Sequence, residues 1–127
     1  MGRSILIVDD EPVMLETIKY FLENAGLEVV TATSANEALE ILKKRSFHVM
    51  TLDLQMPGMS GLELCRHIRR ENSISWLICL TGYRSLFDIS ECRDAGFDDY
   101  YVKPPDFPLL VDNVIRAFER IERWKKT

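Results

Sequence analysis

Three acidic residues follow a short apolar run near the beginning of the chain. The segment "ILIVDDEP", residues 5–12, places Asp9, Asp10 and Glu11 directly after a strand suited to burial on both faces. Adjacent carboxylates repel one another, and each is disfavoured by desolvation. The segment therefore favours a bound cation, unless the acidic residues only stabilise the amino terminus of the next helix. For Glu11 we expect only this second role.

A further carboxylate lies inside an apolar stretch, where it has no helix to cap. Asp53 stands within "VMTLDL", residues 49–54. Clustered oxygen ligands without His or Cys are typical of Mg²⁺, which binds one or two carboxylates and keeps several waters. A carboxylate is also a nucleophile that can attack phosphorus and form an aspartyl phosphate. Asp53 and the Asp pair together indicate magnesium-dependent phosphoryl chemistry.

Two further residues suit the same chemistry. A phosphoryl group in transfer needs its equatorial oxygens matched by a metal, a cation and hydroxyl or backbone donors. Thr81 ends the apolar run "WLICLT", and Lys103 ends "DDYYVK". Each is ordinary by itself, as a β-branched strand residue or a solvated lysine. Their shared position at strand ends predicts that they line one site with the carboxylates.

Strands and helices alternate along the chain in five units. The strands are expected at residues 5–8, 28–33, 47–54, 76–82 and 98–103. Pro12 suits the first turn of a helix that ends at Gly26. The second and third helices follow the capping boxes "SANE" (34–37) and "SGLE" (60–63). The fourth helix is expected at residues 85–95, and the fifth from Phe107 onward, capped by Asp106.

Regular alternation with short connections predicts an α/β fold in which helices cover both faces of a five-stranded parallel sheet. In such doubly wound sheets, ligands bind beyond the carboxyl ends of the strands, where the strand order reverses. In the order 2-1-3-4-5, the first and third strands are neighbours at that point. Asp9, Asp10 and Asp53 would then converge.

The composition predicts a single domain over residues 1–127 in a reducing cytoplasm. The formal net charge of −4 argues against nucleic-acid binding, and we expect the basic clusters to be solvated helix ends. No apolar run approaches the roughly 20 residues that span a bilayer. The three cysteines lack metal or disulfide spacing and are expected in the core, and His48 and His67 are not expected to bind metal.

The segments "VDDE", "TLDLQMPGMSGLEL", "LTGY" and "DDYYVKPP" occur in this order. Together they closely resemble the receiver domain of bacterial two-component response regulators, over essentially the whole chain. The resemblance implies a flavodoxin-like fold and a switch that takes phosphate from a histidine kinase or a phosphotransfer protein. It also implies that phosphorylation changes the surface formed by the fourth helix, the fifth strand and the fifth helix, through which a homodimer could form.

The resemblance also implies a role for each carboxylate. Asp53 would be the phosphoacceptor. Asp10 and Asp53 would bind Mg²⁺ together with the backbone carbonyl of Gln55, and Asp9 would act mainly through a bound water. No other cofactor is implied.

Four residues near the last two strands take the remaining roles. Thr81 would donate a hydrogen bond to a phosphoryl oxygen, and Lys103 would pair with another. Tyr100 would be the aromatic switch that turns inward as Thr81 moves toward the phosphate. Pro104 would follow a cis peptide bond that directs the lysine.

One position departs from the commonest family pattern, and two others resemble positions that set the lifetime of the phosphate. Pro105 replaces the bulky apolar residue that more often follows the Lys-Pro pair, which puts partner binding at this loop in question. Gln55 and Tyr83 occupy positions that resemble the family's determinants of phosphate lifetime, and a bulky Tyr83 could shield the phosphate from water.

Alternatives remain for the function and for the extent of the protein. A haloacid dehalogenase type of phosphatase also uses Asp at strand ends, but "VDDE" lacks its D-x-D pattern. A degenerate receiver is disfavoured because every phosphorylation residue is present.

The last helix has heptad-like apolar spacing and no clear C-cap. The chain is therefore either a stand-alone receiver or, as we favour slightly, the receiver of a longer protein.

Overall fold

The computed structural model describes residues 2–72, 74–82 and 86–126. Within them, five strands alternate with five helices. The strands are β1 (Ser4–Val8), β2 (Glu28–Ala32), β3 (Val49–Asp53), β4 (Trp76–Thr81) and β5 (Asp99–Val102). The helices are α1 (Pro12–Asn24), α2 (Ala35–Leu42), α3 (Gly61–Glu71), α4 (Leu86–Ala95) and α5 (Phe107–Lys126). In the described part of the chain, no helix is long and apolar enough to cross a membrane.

All neighbouring strands pair in parallel, in the order β2-β1-β3-β4-β5. This confirms the predicted doubly wound sheet. Because β1 and β3 are neighbours, the connection that leaves β1 and the one that leaves β3 run to opposite sides of the sheet. Their carboxyl ends therefore open onto the crevice where ligands bind in folds of this type.

Side chains that alternate along the strands divide the core into two clusters. Those of Leu6, Leu52 and Cys79 face α2, α3 and α4 on one side of the sheet. Those of Ile5, Val49 and Ile78 face α1 and α5 on the other side. The strands that carry these residues are apolar on both sides because both sides are covered, as in other parallel sheets. Cys65, Cys79 and Cys92 are buried in the core, as predicted.

The helix starts largely follow the predicted caps. Ser60 and Glu63 form the complete capping box of α3, and the Asp106 carboxylate accepts a hydrogen bond from the backbone N–H of Leu109. The box predicted for α2 is only half formed. Ser34 accepts from the N–H of Glu37, but the Glu37 carboxylate accepts from the N–H of Thr33, not from that of Ser34.

Arg69 corrects the prediction that the basic cluster "RHIRR" is a solvated helix end. Its guanidinium donates to the carbonyl oxygens of Gly96 (2.8 Å) and Ser75 and to the carboxylate of Asp98. Asp98 in turn accepts from the N–H of Leu77. Arg69 therefore ties the end of α3 to the segments that enter β4 and β5.

Candidate phosphoryl and magnesium site

The side chains predicted to act together meet at the carboxyl edge of the sheet. Asp9 directly follows β1, while Asp53 and Thr81 are the last residues of β3 and β4. Lys103 directly follows β5, where its backbone N–H donates to the carbonyl oxygen of Thr81. Asp9, Asp53 and Thr81 are almost fully buried, with 1%, 3% and 0% of their surface exposed.

The ammonium group of Lys103 lies among three carboxylates. Its nitrogen is 2.8 Å from Asp9 Oδ2 and 3.2 Å from Asp53 Oδ2, and it also contacts Glu11 Oε1. The Lys103 side chain is only 8% exposed. Burial alone would lower the pKa of Lys103, but the contacts with Asp9, Glu11 and Asp53 raise it above its ordinary value. The lysine therefore stays charged at any physiological pH.

Glu11 was expected only to decorate the start of α1, and this was wrong. Its side chain makes no capping hydrogen bond to α1 and reaches Lys103 instead. The two residues are 92 positions apart in the sequence. No local pattern could reveal this pair, because it exists only when β1 and β5 end at the same edge.

Asp9, Asp10 and Asp53 form a cluster that fits a hard cation. One carboxylate oxygen from each of them lies within 4.8 Å of the others. Asp10 is the most exposed of the three residues, so the cluster is open to solvent on the side of Asp10. A donor set made only of oxygen atoms, open to water on one side, suits Mg²⁺, which keeps part of its hydration shell.

Asp53 has an unusual protonation equilibrium. Its burial raises the pKa of the carboxyl group to about 6; Lys103 opposes this shift, and the charge of Asp9 adds to it. Asp53 Oδ1 also accepts a hydrogen bond of 3.3 Å from the backbone N–H of Gln55. A carboxylate that is poorly solvated and only partly neutralised is a reactive oxygen nucleophile once it is ionised.

The connection after β3 presses closely on the site. The N–H of Gly61, the first residue of α3, donates to the carbonyl oxygen of Leu54. A Cβ atom at Gly61 would lie 2.8 Å from the carbonyl carbon of Asp53 and closer still to its oxygen. Glycine is therefore required where α3 packs against the end of β3.

Of the remaining predicted residues, the structure describes Gln55, Tyr100 and Pro104. Tyr100, in β5, is partly buried and packs against the cluster that faces α2, α3 and α4. The peptide bond between Lys103 and Pro104 is cis, and the Gln55 side chain is exposed beside Asp53. Tyr83 lies outside the described residues.

A family model of the response regulator receiver domain matches residues 5–115. The chain therefore belongs to the receiver domains of two-component response regulators, a family of signalling switches. The chain is 31% identical to a CheY-like receiver domain protein from Methanospirillum hungatei JF-1, with a TM-score of 0.92 over 97% of this chain and 98% of that one. It is 34% identical to the response regulator TrrA of Thermotoga maritima, solved in complex with Mg²⁺ and BeF, with a TM-score of 0.82 over 91% and 98% of the two chains.

Two similar proteins of known sequence are longer. The alkaline phosphatase synthesis transcriptional regulatory protein PhoP of Bacillus subtilis is 33% identical over 82% of this chain and 43% of its own length. The regulatory protein VanR of Enterococcus faecium is 35% identical over 99% of this chain and 53% of its own length. The chain thus spans about half the length of these relatives.

Proposed function

We propose that this receiver domain accepts a phosphoryl group on Asp53. The observation that carries the proposal is the buried carboxylate of Asp53, which lies 3.2 Å from the ammonium of Lys103 and within reach of Asp9 and Asp10. In the reaction, an oxygen of Asp53 forms a bond to phosphorus, and the bond between phosphorus and the donor breaks. Lys103 holds positive charge where negative charge accumulates on the phosphoryl oxygens.

The carboxylates of Asp10 and Asp53 and the backbone carbonyl of Gln55 would hold Mg²⁺, and Asp9 would contact it mainly through water. The bound ion supplies positive charge that stabilises the transferring phosphoryl oxygens. The acidic cluster supports this assignment, and the complex of Mg²⁺ and BeF with the similar protein TrrA agrees with it. Lys103 would pair with a phosphoryl oxygen.

The response of the domain would pass through Thr81 and Tyr100. The Thr81 side chain is buried at the end of β4, beside β5. In the phosphorylated state its hydroxyl donates to a phosphoryl oxygen, which leaves space that the ring of Tyr100 fills. The surface of α4, β5 and α5 changes as a result. A modification can shift an equilibrium only by interacting differently with the two states, and Thr81 supplies that difference.

The donor would be a histidine kinase or a phosphotransfer protein in the cytoplasm. The changed surface of α4, β5 and α5 would then control an output, either within a longer chain or through a homodimer. The greater length of PhoP and VanR supports a longer protein. Gln55 and Tyr83 would set how long the phosphate persists.

The direct test is incubation with acetyl phosphate and Mg²⁺, followed by intact mass measurement. We expect the parent to gain one phosphoryl group, about 80 Da, on the Asp53 carboxylate. Asp53→Asn should gain nothing. Asp112→Asn, at an exposed position of α5, is the matched control and should label like the parent. Equal labelling of Asp53→Asn would exclude Asp53 as the phosphoacceptor.

A further inference from the structure

An apolar groove lies at the amino edge of the sheet, opposite the acidic site. It has a volume of about 560 Å³ and lies between the end of α5 and the start of β4. Its apolar walls are Ile74, Trp76, Ile121 and Trp124. Trp124 is 76% exposed and Ile74 is 65% exposed, which is a large fraction for side chains of this size. The groove therefore offers apolar surface that a bound partner would remove from water.

The charged residues of the groove are arranged asymmetrically. The Arg120 guanidinium lies over the ring of Trp76, 4.7 Å from its centroid, and Lys125 contacts His48. Among the described residues, neither basic side chain forms an ion pair with a carboxylate. Asp98 also lines the groove, but Arg69 neutralises it. The rim is thus positive, although the whole chain has a net charge of −4.

We propose that this groove binds an acidic segment of a partner protein, which inserts large apolar side chains beside Trp124 and Ile74. Carboxylates of the segment would pair with Arg120 and Lys125. Trp and Arg are the residue types that contribute most to binding at protein interfaces, and a guanidinium can hold a carboxylate through two parallel hydrogen bonds. A nucleic acid fits less well, because its binding needs a longer basic stripe than two residues.

The groove is separate from the phosphoryl site. Trp76 is the first residue of β4 and Thr81 is the last, so the two ends are roughly 16 Å apart at about 3.3 Å per residue. A segment bound in the groove leaves Asp53 open to a phosphodonor. The proposal therefore goes beyond phosphorylation and does not depend on it, and Asp53→Asn should bind the segment as the parent does.

The test uses a fluorescein-labelled peptide of about five helical turns, with Leu along one face and Glu at the other positions. Fluorescence anisotropy would measure its binding to the full chain. We expect saturable binding that weakens roughly tenfold or more in Trp124→Ser and in the double variant Arg120→Glu/Lys125→Glu. The exposed pair Lys43→Glu/Lys44→Glu follows α2, which packs on the opposite face of the sheet from α5. This pair makes the same charge change and should leave binding unaltered.

Two further probes separate the chemical requirements. A peptide with Lys in place of Glu, and one with Ser in place of Leu, should both bind much more weakly than the acidic Leu peptide. The proposal is overturned if the parent does not bind the acidic Leu peptide, if the groove variants bind it equally well, or if the Ser peptide binds as tightly. Displacement of the peptide by a single-stranded oligonucleotide of equal affinity would assign the groove to nucleic acid instead.

Discussion

Lys103 Nζ lies 3.2 Å from Asp53 Oδ2, yet this cation does not bring the pKa of Asp53 back to its ordinary value. Burial outweighs the ion pair, and the pKa of Asp53 rises from 3.8 to about 6. Without a metal ion, the folded protein therefore holds an ionised carboxylate at neutral pH that would be better solvated in the unfolded chain. The folded domain is therefore less stable at neutral pH than it would be with a neutral side chain at this position.

Asp53→Asn should consequently stabilise the metal-free protein at pH 8. At about 1.4 kcal/mol per pKa unit, the increase in the free energy of unfolding is on the order of 1–3 kcal/mol. The raised pKa means that the folded state binds a proton between about pH 4 and 6 while the unfolded state does not. The parent loses this stability as the pH rises through that window, so the advantage of the variant should disappear near pH 4.

Urea unfolding at pH 4, 6 and 8 in the presence of a chelator measures this difference. Asp112→Asn again serves as the control and should show no pH-dependent gain. Equal stability of Asp53→Asn and the parent at pH 8 would contradict the assigned burial cost.

Asp10→Asn should weaken Mg²⁺ binding without weakening the fold. Asp10 contributes one of the three clustered oxygens and is the most exposed of the three residues, so its removal deletes a ligand and relieves repulsion in the metal-free protein. Isothermal titration calorimetry should show a loss of affinity on the order of tenfold or more. Labelling by acetyl phosphate should fall in parallel, while the urea midpoint stays near that of the parent. Unchanged Mg²⁺ affinity would remove Asp10 from the ligand set.

Thr81→Ala should accept phosphate on Asp53 but transmit it poorly. Lys103 and the acidic cluster remain in this variant, which loses the hydroxyl and the methyl group of Thr81 and with them the link that we propose between the phosphate and Tyr100. NMR spectra with and without beryllofluoride, a phosphoryl mimic, should show small shifts around Tyr100 in the variant and large ones in the parent. Thr51→Ala is the matched control: this buried β3 hydroxyl has no hydrogen-bond partner among the described residues, so its loss should leave the response intact. Parent-like shifts in Thr81→Ala would show that another residue carries the signal.

Gly61→Ala should damage both folding and phosphorylation. The added methyl group would overlap the backbone of Asp53 and come within 2.9 Å of Leu54 Cα, so the end of β3 or the start of α3 must move. Overpacking of this kind costs roughly 1–3 kcal/mol or more. Urea unfolding should show that loss, and acetyl phosphate labelling should slow. At Gly82 a Cβ atom meets no atom of the described residues within 4 Å, so Gly82→Ala should be much milder. A Gly61→Ala protein as stable as the parent would contradict the close packing.

The sequence predicted those features of the site that depend on position within a strand or a helix. Apolar runs ending in Asp9, Asp53 and Thr81 located the carboxyl edge of the sheet, because parallel strands align those ends. The ion pair between Glu11 and Lys103 and the hydrogen bonds of Arg69 were not predictable in this way. They join residues of different strands and helices, and in the sequence Glu11 and Arg69 have only the ordinary pattern of a helix terminus.

A smaller discrepancy has a similar origin. "SANE" and "SGLE" are equivalent as sequence patterns, yet only the second forms both hydrogen bonds of its box. The Glu37 carboxylate accepts instead from the N–H of Thr33, one residue earlier. The backbone at the two caps also differs, with φ −154° at Ser34 and −77° at Ser60, and the four-residue pattern does not contain this difference.

The residue that we propose as phosphoacceptor and the one that we propose as switch lie on strands with different support from their neighbours. β3 is held by β1 and β4 along both of its edges, and all five of its residues are buried. β5 is held by β4 alone, has four residues, and all four are partly exposed. An edge strand can shift by disturbing one ladder of hydrogen bonds, whereas a central strand must disturb two. Asp53 thus lies on a rigid central strand, whereas Tyr100 lies on an edge strand that can shift more easily. A change in the contacts of Asp53 can therefore move Tyr100 while the central strands stay in place.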